Sequence, residues 1–294
     1  VVDKITQQYD YGLKKGKPTG FVDFDHHFRW KSGHLIAFNG HGNMGKSTVV
    51  FNLMILSAIL YDWKWGCYLP ENYPIEDAYI IFIEIYLGNT IDKDVKGRAK
   101  KSELNEAIRF IKDHFEFIDS EKGYTPEELR KITRRMIMQR GIVGFITDPW
   151  NALVHKYTSS LDQYLENELS AEQRFTTSNN IIKIIVVHPV TPISQEKKEP
   201  TCPSIYEIKG GAIWSAKLYE SLAIHQTKAA NNKEQTLTEV HVQKVKTPKL
   251  VGIKTHRDFP ILLHFKGRSN RFLNFDKSDP IEIAKNGRKS TLHE

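Results

Sequence analysis

Gly40-His41-Gly42-Asn43-Met44-Gly45-Lys46-Ser47-Thr48 stands between an apolar run of strand character, Leu35 to Phe38, and a longer helical run, Lys46 to Tyr61. The string satisfies G-x-x-x-x-G-K-[ST], in which glycines let consecutive backbone N–H groups turn inward around phosphate oxygens. The positive end of the following helix adds to that attraction. On this reading Lys46 reaches the β- and γ-phosphates and Ser47 ligates Mg²⁺, while the backbone of the other loop residues cradles the nucleotide. Gly40, Gly42 and Gly45 also satisfy G-x-G-x-x-G, the dinucleotide fingerprint, with Glu71 as the ribose acid. That alternative has no use for Lys46 and Ser47.

Outward from the loop, short β-branched runs alternate with segments of helical period, the pattern of an α/β domain with a mostly parallel sheet. The expected strands are Leu35 to Phe38, Gly66 to Leu69, Phe115 to Ile118, Val143 to Thr147 and Ile181 to Val187. The expected helices are Lys46 to Tyr61, Ile75 to Leu87, Ser102 to His114, Thr125 to Gln139 and Leu161 to Ser178. Thr125-Pro126-Glu127-Glu128 is a helix start signal, with an N-cap, a proline at the first helical position and two acids in the first turn. Beyond residue 200, runs at Ser221 to His225, Glu239 to Val245, Ile261 to Phe265 and Arg271 to Phe275 read as antiparallel additions to the same sheet. The expected division is a linker over 1–20, one α/β domain over 21–275, and a tail over 276–294 without apolar period. Val190 to Lys209 and that tail read as mobile.

Three polar residues fall at strand ends. Asp148 closes Ile142 to Thr147, where a carboxylate can hold Mg²⁺ through water beside the phosphate loop. Glu71 follows Cys67-Tyr68-Leu69-Pro70 and is placed to polarise an attacking water. His188 follows Ile184 to Val187 and can bond a γ-phosphate. Alone, Asp148 and His188 read as turn residues and Glu71 as a solvated acid; together, beside one phosphate loop, they form a constellation.

Composition narrows the class. With 294 residues, 40% hydrophobic and 26% charged, the chain has the proportions of a globular protein and not of a disordered or fibrous one. Two cysteines, Cys67 and Cys202, make no disulfide framework and no zinc spacing. The longest apolar stretch, Val49 to Leu60, is too short to cross a bilayer and reads as a buried helix. A net charge of +7 favours an anionic partner. The chain opens on Val-Val, which suggests a piece of a longer protein.

Taken together, these segments resemble the hexameric replicative helicases with a RecA-like core, and within them the Twinkle-like, DnaB-type branch that includes phage primase-helicases. The resemblance runs over residues 10 to 275. It is carried by Gly16-Lys17-Pro18-Thr19-Gly20-Phe21 with Asp25, Leu69-Pro70-Glu71-Asn72-Tyr73-Pro74, Asp148-Pro149-Trp150-Asn151, Val187-His188-Pro189, and Ile208-Lys209-Gly210-Gly211-Ala212-Ile213-Trp214. It implies a RecA-like P-loop NTPase core that uses ATP, or another NTP or dNTP, with Mg²⁺. It implies Glu71 as general base, Asp148 as Walker-B acid and His188 as sensor. It further implies a homo-hexamer around single-stranded DNA, a primase domain or protein as a further partner, no membrane, and a cytoplasmic setting in a bacterial or phage-infected cell. The loop Val190 to Gly211 matches the family's DNA-contacting loop, so Lys197, Lys198, Lys209 and Gly210 are the expected nucleic-acid residues. Lys244 and Lys246 match the basic finger that reaches into a neighbour's site. There the family shows lysine and then arginine, so Lys246 departs from it: the alternatives are a clamp without the guanidinium fork, Arg257 in its place, or Lys246 as a solvated strand lysine.

Other features read plainly. Arg130, Lys131, Arg134, Arg135 and Arg140, like Lys96 to Lys101, read as solvated faces. His26-His27 reads as surface, and Trp150 and Trp214 read as core residues and not as base-stacking ones.

Overall fold

The structure is a computed structural model that describes residues 2–157, 159–190, 201–227 and 237–291. The chain enters through an exposed helix, α1 (Val2–Tyr11), and reaches β1 (Leu35–Asn39), all five residues of which are buried. A strand covered on both faces reads as a continuous apolar run, because neither face selects polar residues. Ile36 and Phe38 pack into one core and Leu35 and Ala37 into the other, so β1 sits at the centre of three layers.

From β1 the chain turns through the phosphate loop into α2 (Lys46–Tyr61), buried along most of its length as its apolar run implies. There follow β2 (Trp65–Tyr68), α3 (Ile75–Leu87), α4 (Lys101–His114), β3 (Phe115–Phe117), α5 (Pro126–Arg140), β4 (Gly144–Thr147), α6 (Leu161–Ser178) and β5 (Ile182–Val187). The start signal for α5 is realised: Thr125 accepts from the Glu128 amide at 3.3 Å, and Glu128 Oε2 accepts from the Thr125 amide at 2.9 Å. The remaining elements are α7 (Gly211–Lys217), β6 (Glu220–Thr227), β7 (Leu237–Val245), α8 (Pro248–Val251), β8 (Ile261–Lys266), β9 (Arg271–Leu273) and α9 (Pro280–Thr291).

Among the described residues the strands form one sheet in the order β3-β2-β4-β5-β1-β6-β7-β8-β9. Every pairing from β3 to β6 is parallel, and β7, β8 and β9 are antiparallel. This order removes the dinucleotide alternative. That fold pairs its second strand with its first, whereas here β4 and β5 separate β2 from β1.

Three expectations need correction. Ser221 to His225 lies in β6, which is parallel to β1, because α7 carries the chain back to the start of the sheet before β6 begins. The segment beyond Asp276 is not simply a tail without apolar contacts. It carries α9, whose Ile281 and Ala284 are buried against the α2 side of the core. Arg130 is not on a solvated face: its side chain is 14% exposed and bonds Glu168 and Glu172, each at 2.9 Å. Trp150 and Trp214 are core residues, in edge-to-face contact at 5.6 Å. No described helix is long and apolar enough to cross a membrane.

Candidate nucleotide-hydrolysis site

Adjacent parallel strands present their carboxyl ends along one edge of the sheet. In the run β2-β4-β5-β1, these ends deliver Glu71, Asp148, His188 and the phosphate loop in turn. Sheet topology therefore assembles residues that are up to 148 positions apart in sequence, from Gly40 to His188.

The loop is shaped by glycine where the backbone demands it. At Gly40, a Cβ would meet the Ile224 carbonyl oxygen at 2.5 Å, since β6 runs directly alongside. Gly45 has φ +79° and forms the N-cap of α2 without a side-chain cap, so the first amides of the helix face outward as anion donors. Lys46 is buried and its Nζ donates to the His41 carbonyl at 2.6 Å. Burial pulls its pKa down, although the Asp148 and Glu71 carboxylates pull it up.

Asp148 is buried and its pKa is pushed up to about 6, chiefly by desolvation. The Ser47 hydroxyl donates to this carboxylate, and the Lys46 charge also favours ionisation, while Glu71 opposes it. Asp148 Oδ2 has no hydrogen-bond partner among the described residues. A buried carboxylate oxygen without a partner, beside a serine hydroxyl, fits a hard oxygen-seeking cation. Among the described residues no group of three or more His, Cys, Asp or Glu side chains gathers to hold a metal. The arrangement thus suits Mg²⁺, which keeps several waters and is held by few protein ligands together with phosphates.

The Glu71 side chain is 61% exposed, open to water, and its Oε1 lies 3.8 Å from His188 Nε2. The His188 pKa is lowered by burial and by Lys46, against the pull of Glu71, which keeps the imidazole neutral at pH 7. Its Nε2 is buried without a hydrogen bond among the described residues. The cluster therefore combines a glycine-shaped loop at a helix N-terminus, a buried carboxylate beside a serine hydroxyl, a solvated carboxylate and a neutral imidazole.

Lys244 and Lys246 are not brought to this cluster. β7 is antiparallel to β6, so its last residues return to the opposite edge: Ser221 pairs with Lys244, and Lys246 N–H donates to the Tyr219 carbonyl at 2.9 Å. Tyr219 in turn bonds Leu35, and from Leu35 to Gly40 along β1 is about 17 Å at roughly 3.3 Å per residue, too far for Lys246 to reach the loop of its own chain; Lys244 lies level with Ala37, through Ser221. Lys246 Nζ lies 4.6 Å from the centre of the Tyr219 ring, and Lys244 Nζ donates to the Ser215 carbonyl. Lys209 is exposed, and Gly210 takes φ +75° at the start of α7. Lys197 and Lys198 lie outside the described residues. Arg257 is exposed in the segment between α8 and β8.

The fold is an α/β core of RecA-like type, and it carries a phosphate-loop sequence at the carboxyl end of β1. In sequence the chain is similar to the Twinkle homolog protein, chloroplastic/mitochondrial, of Arabidopsis thaliana, at 23% identity over 254 residues. That match takes in 83% of this chain but 35% of the relative, so the chain spans about a third of the curated relative's length. In structure it is similar to the ATPase domain of G40P, with a TM-score of 0.74, 14% identity, and coverage of 93% of this chain and 97% of that one. It is also similar to a DnaB-like replicative helicase described with its interactions with primase, with a TM-score of 0.73, 15% identity, and coverage of 93% and 66%. No family model matches the chain. The Twinkle-like and DnaB-type resemblance thus holds in sequence and in fold.

Proposed function

We propose that this chain is the motor domain of a replicative DNA helicase, hydrolysing a nucleoside triphosphate between neighbouring copies to move along single-stranded DNA. One observation carries the reading. The hydrolytic cluster and the lysine pair occupy opposite edges of one sheet, an arrangement that is productive only when copies stand edge to edge.

In the reaction, the α2 amides and Lys46 hold the β- and γ-phosphates. Glu71 orients a water and accepts its proton, and His188 bonds a γ-phosphate oxygen through Nε2. Ser47 and Asp148 would hold Mg²⁺, which when bound neutralises phosphate charge and orients the phosphates. Lys246, with Lys244, supplies positive charge from the adjacent copy. Lys209 pairs with the DNA backbone beside the site.

The test is phosphate release with and without single-stranded DNA, together with separation of a forked duplex. Stimulation by DNA with strand separation is expected. Stimulation without separation would assign the core to remodelling of DNA or protein, and nucleotide binding without hydrolysis would make it a loader or scaffold.

A further inference from the structure

A cleft of about 310 Å³ adjoins the hydrolytic cluster. Its lining includes Trp150, His155, Tyr157, His188 and Lys209. No step of the hydrolysis uses Trp150, His155 or Tyr157. The Tyr157 side chain is 57% exposed, yet it is held in place. Its ring stands 6.0 Å from His155 at 32° and 4.9 Å from Tyr164 at 63°.

His155 is fixed in turn through both nitrogens, with Nδ1 2.8 Å from the Tyr164 hydroxyl and Nε2 3.0 Å from the Trp150 carbonyl oxygen. With Nε2–H donating to the carbonyl, Nδ1 accepts from the hydroxyl, which is the neutral tautomer. Burial, which lowers the His155 pKa, favours the same form. Trp150 then packs against Trp214. The rings form a continuous series from the surface to the core, so an incoming flat group meets a platform whose ordering is already complete.

We infer that this cleft is a base-stacking subsite, in which one base of the single strand stacks on Tyr157 and an adjoining backbone phosphate pairs with Lys209. The inference rests on the single-stranded DNA reading above and adds to it. A track for the backbone alone needs cations and gains nothing from an exposed ring. Among the described residues this lining joins Lys209 to the neighbouring rings of Trp150, His155 and Tyr157, the combination that holds a base by its face and a phosphate by its charge. Because His188 also lines the cleft, the strand and the γ-phosphate contact one residue in common. Bound nucleotide and bound strand then alter each other's affinity by the same factor.

The test compares an oligothymidylate with a base-free sugar-phosphate strand of equal length, by fluorescence anisotropy with the full chain. The parent is expected to bind the oligothymidylate about tenfold more tightly. Tyr157→Ala should lose that preference without further loss on the base-free strand, and Tyr157→Phe should keep it. Lys209→Ala should weaken both strands alike and reduce the salt dependence. Equal binding of the two strands by the parent, or an unchanged preference in Tyr157→Ala, overturns the subsite and leaves the motor reading standing. Failure of the parent to bind either strand overturns both. The parent's own comparison needs no variant, so poor folding of Tyr157→Ala does not protect the inference.

Discussion

Lys46 keeps its ammonium beside two carboxylates in a buried position, and the cost of that burial is visible in its lowered pKa. Lys46→Ala is therefore expected to fold, while nucleotide binding, read by calorimetry, and phosphate release disappear together, because the charge serves both the bound and the transition state. Hydrolysis at the parental rate in that variant would remove the phosphate-loop assignment. Glu71 differs, since its carboxylate is mostly in water. Glu71→Gln should change stability by less than about 0.5 kcal/mol. It should retain nucleotide affinity and lose hydrolysis by about 10²-fold or more. A parallel loss of affinity and rate would make Glu71 an organiser of the loop instead of a base. The meeting of the Ser47 hydroxyl with the Asp148 carboxylate was legible from sequence because adjacent strand ends bring both beside one recognisable loop. Tyr157 and His155 were not, because ring packing is decided by tertiary neighbours that no local pattern announces.

Among the elements, α9 is held by more than its apolar side chains. Arg271 in β9 is buried and bonds the carbonyls of Ile85 and Tyr86 at the end of α3, each at 2.6 Å. It also bonds Asp279 at 2.6 Å and Glu282 at 2.8 Å. Arg271→Ala takes the cation from Asp279 and a donor from the Ile85 carbonyl, while Tyr86 and Glu282 keep Lys285 as a partner, and denaturant unfolding should show a loss of about 3 kcal/mol, the low end of the scale for a broken buried pair. A second tie runs from Arg288 and His114 to Asp62, whose pKa is lowered first by the His114 hydrogen bond and further by Arg288. A carboxylate with a folded pKa below its unfolded value stabilises the fold above that unfolded value, 3.8, and loses the contribution as pH falls through the folded one. Asp62→Asn should accordingly be less stable than the parent at pH 7, by no more than about 1 kcal/mol for so exposed a pair. The gap should close on acidification below pH 3.8, and a gap independent of pH would assign the effect to something other than charge. The parallel strands were legible because burial on both faces leaves unbroken apolar runs. The direction of β6 was not, since its crossover helix α7 has seven residues, too few to show a period. α9 escaped notice because charged residues flank its two buried apolar positions, and the partners of Arg130 lie 38 and 42 residues away.

At the scale of the whole molecule, the sheet carries the phosphate loop with Glu71, Asp148 and His188 at one edge and Lys246 at the other. If Lys246 acts across an interface, Lys246→Ala copies should still bind nucleotide yet fail to hydrolyse it when assembled. Mixing them with Lys46→Ala copies should restore phosphate release, at equal amounts through about one interface in four. No recovery in demonstrably mixed assemblies would shift the role to Lys244 or Arg257. If copies associate through these two unlike edges, they do so head to tail, each one giving on one side and receiving on the other. A copy altered at both lysines, Lys46 and Lys246, then silences the junction on either side of itself. In a mixed population of such copies with intact ones, activity should fall roughly as the square of the intact fraction, so that a small share of defective copies removes about twice its own share of the activity.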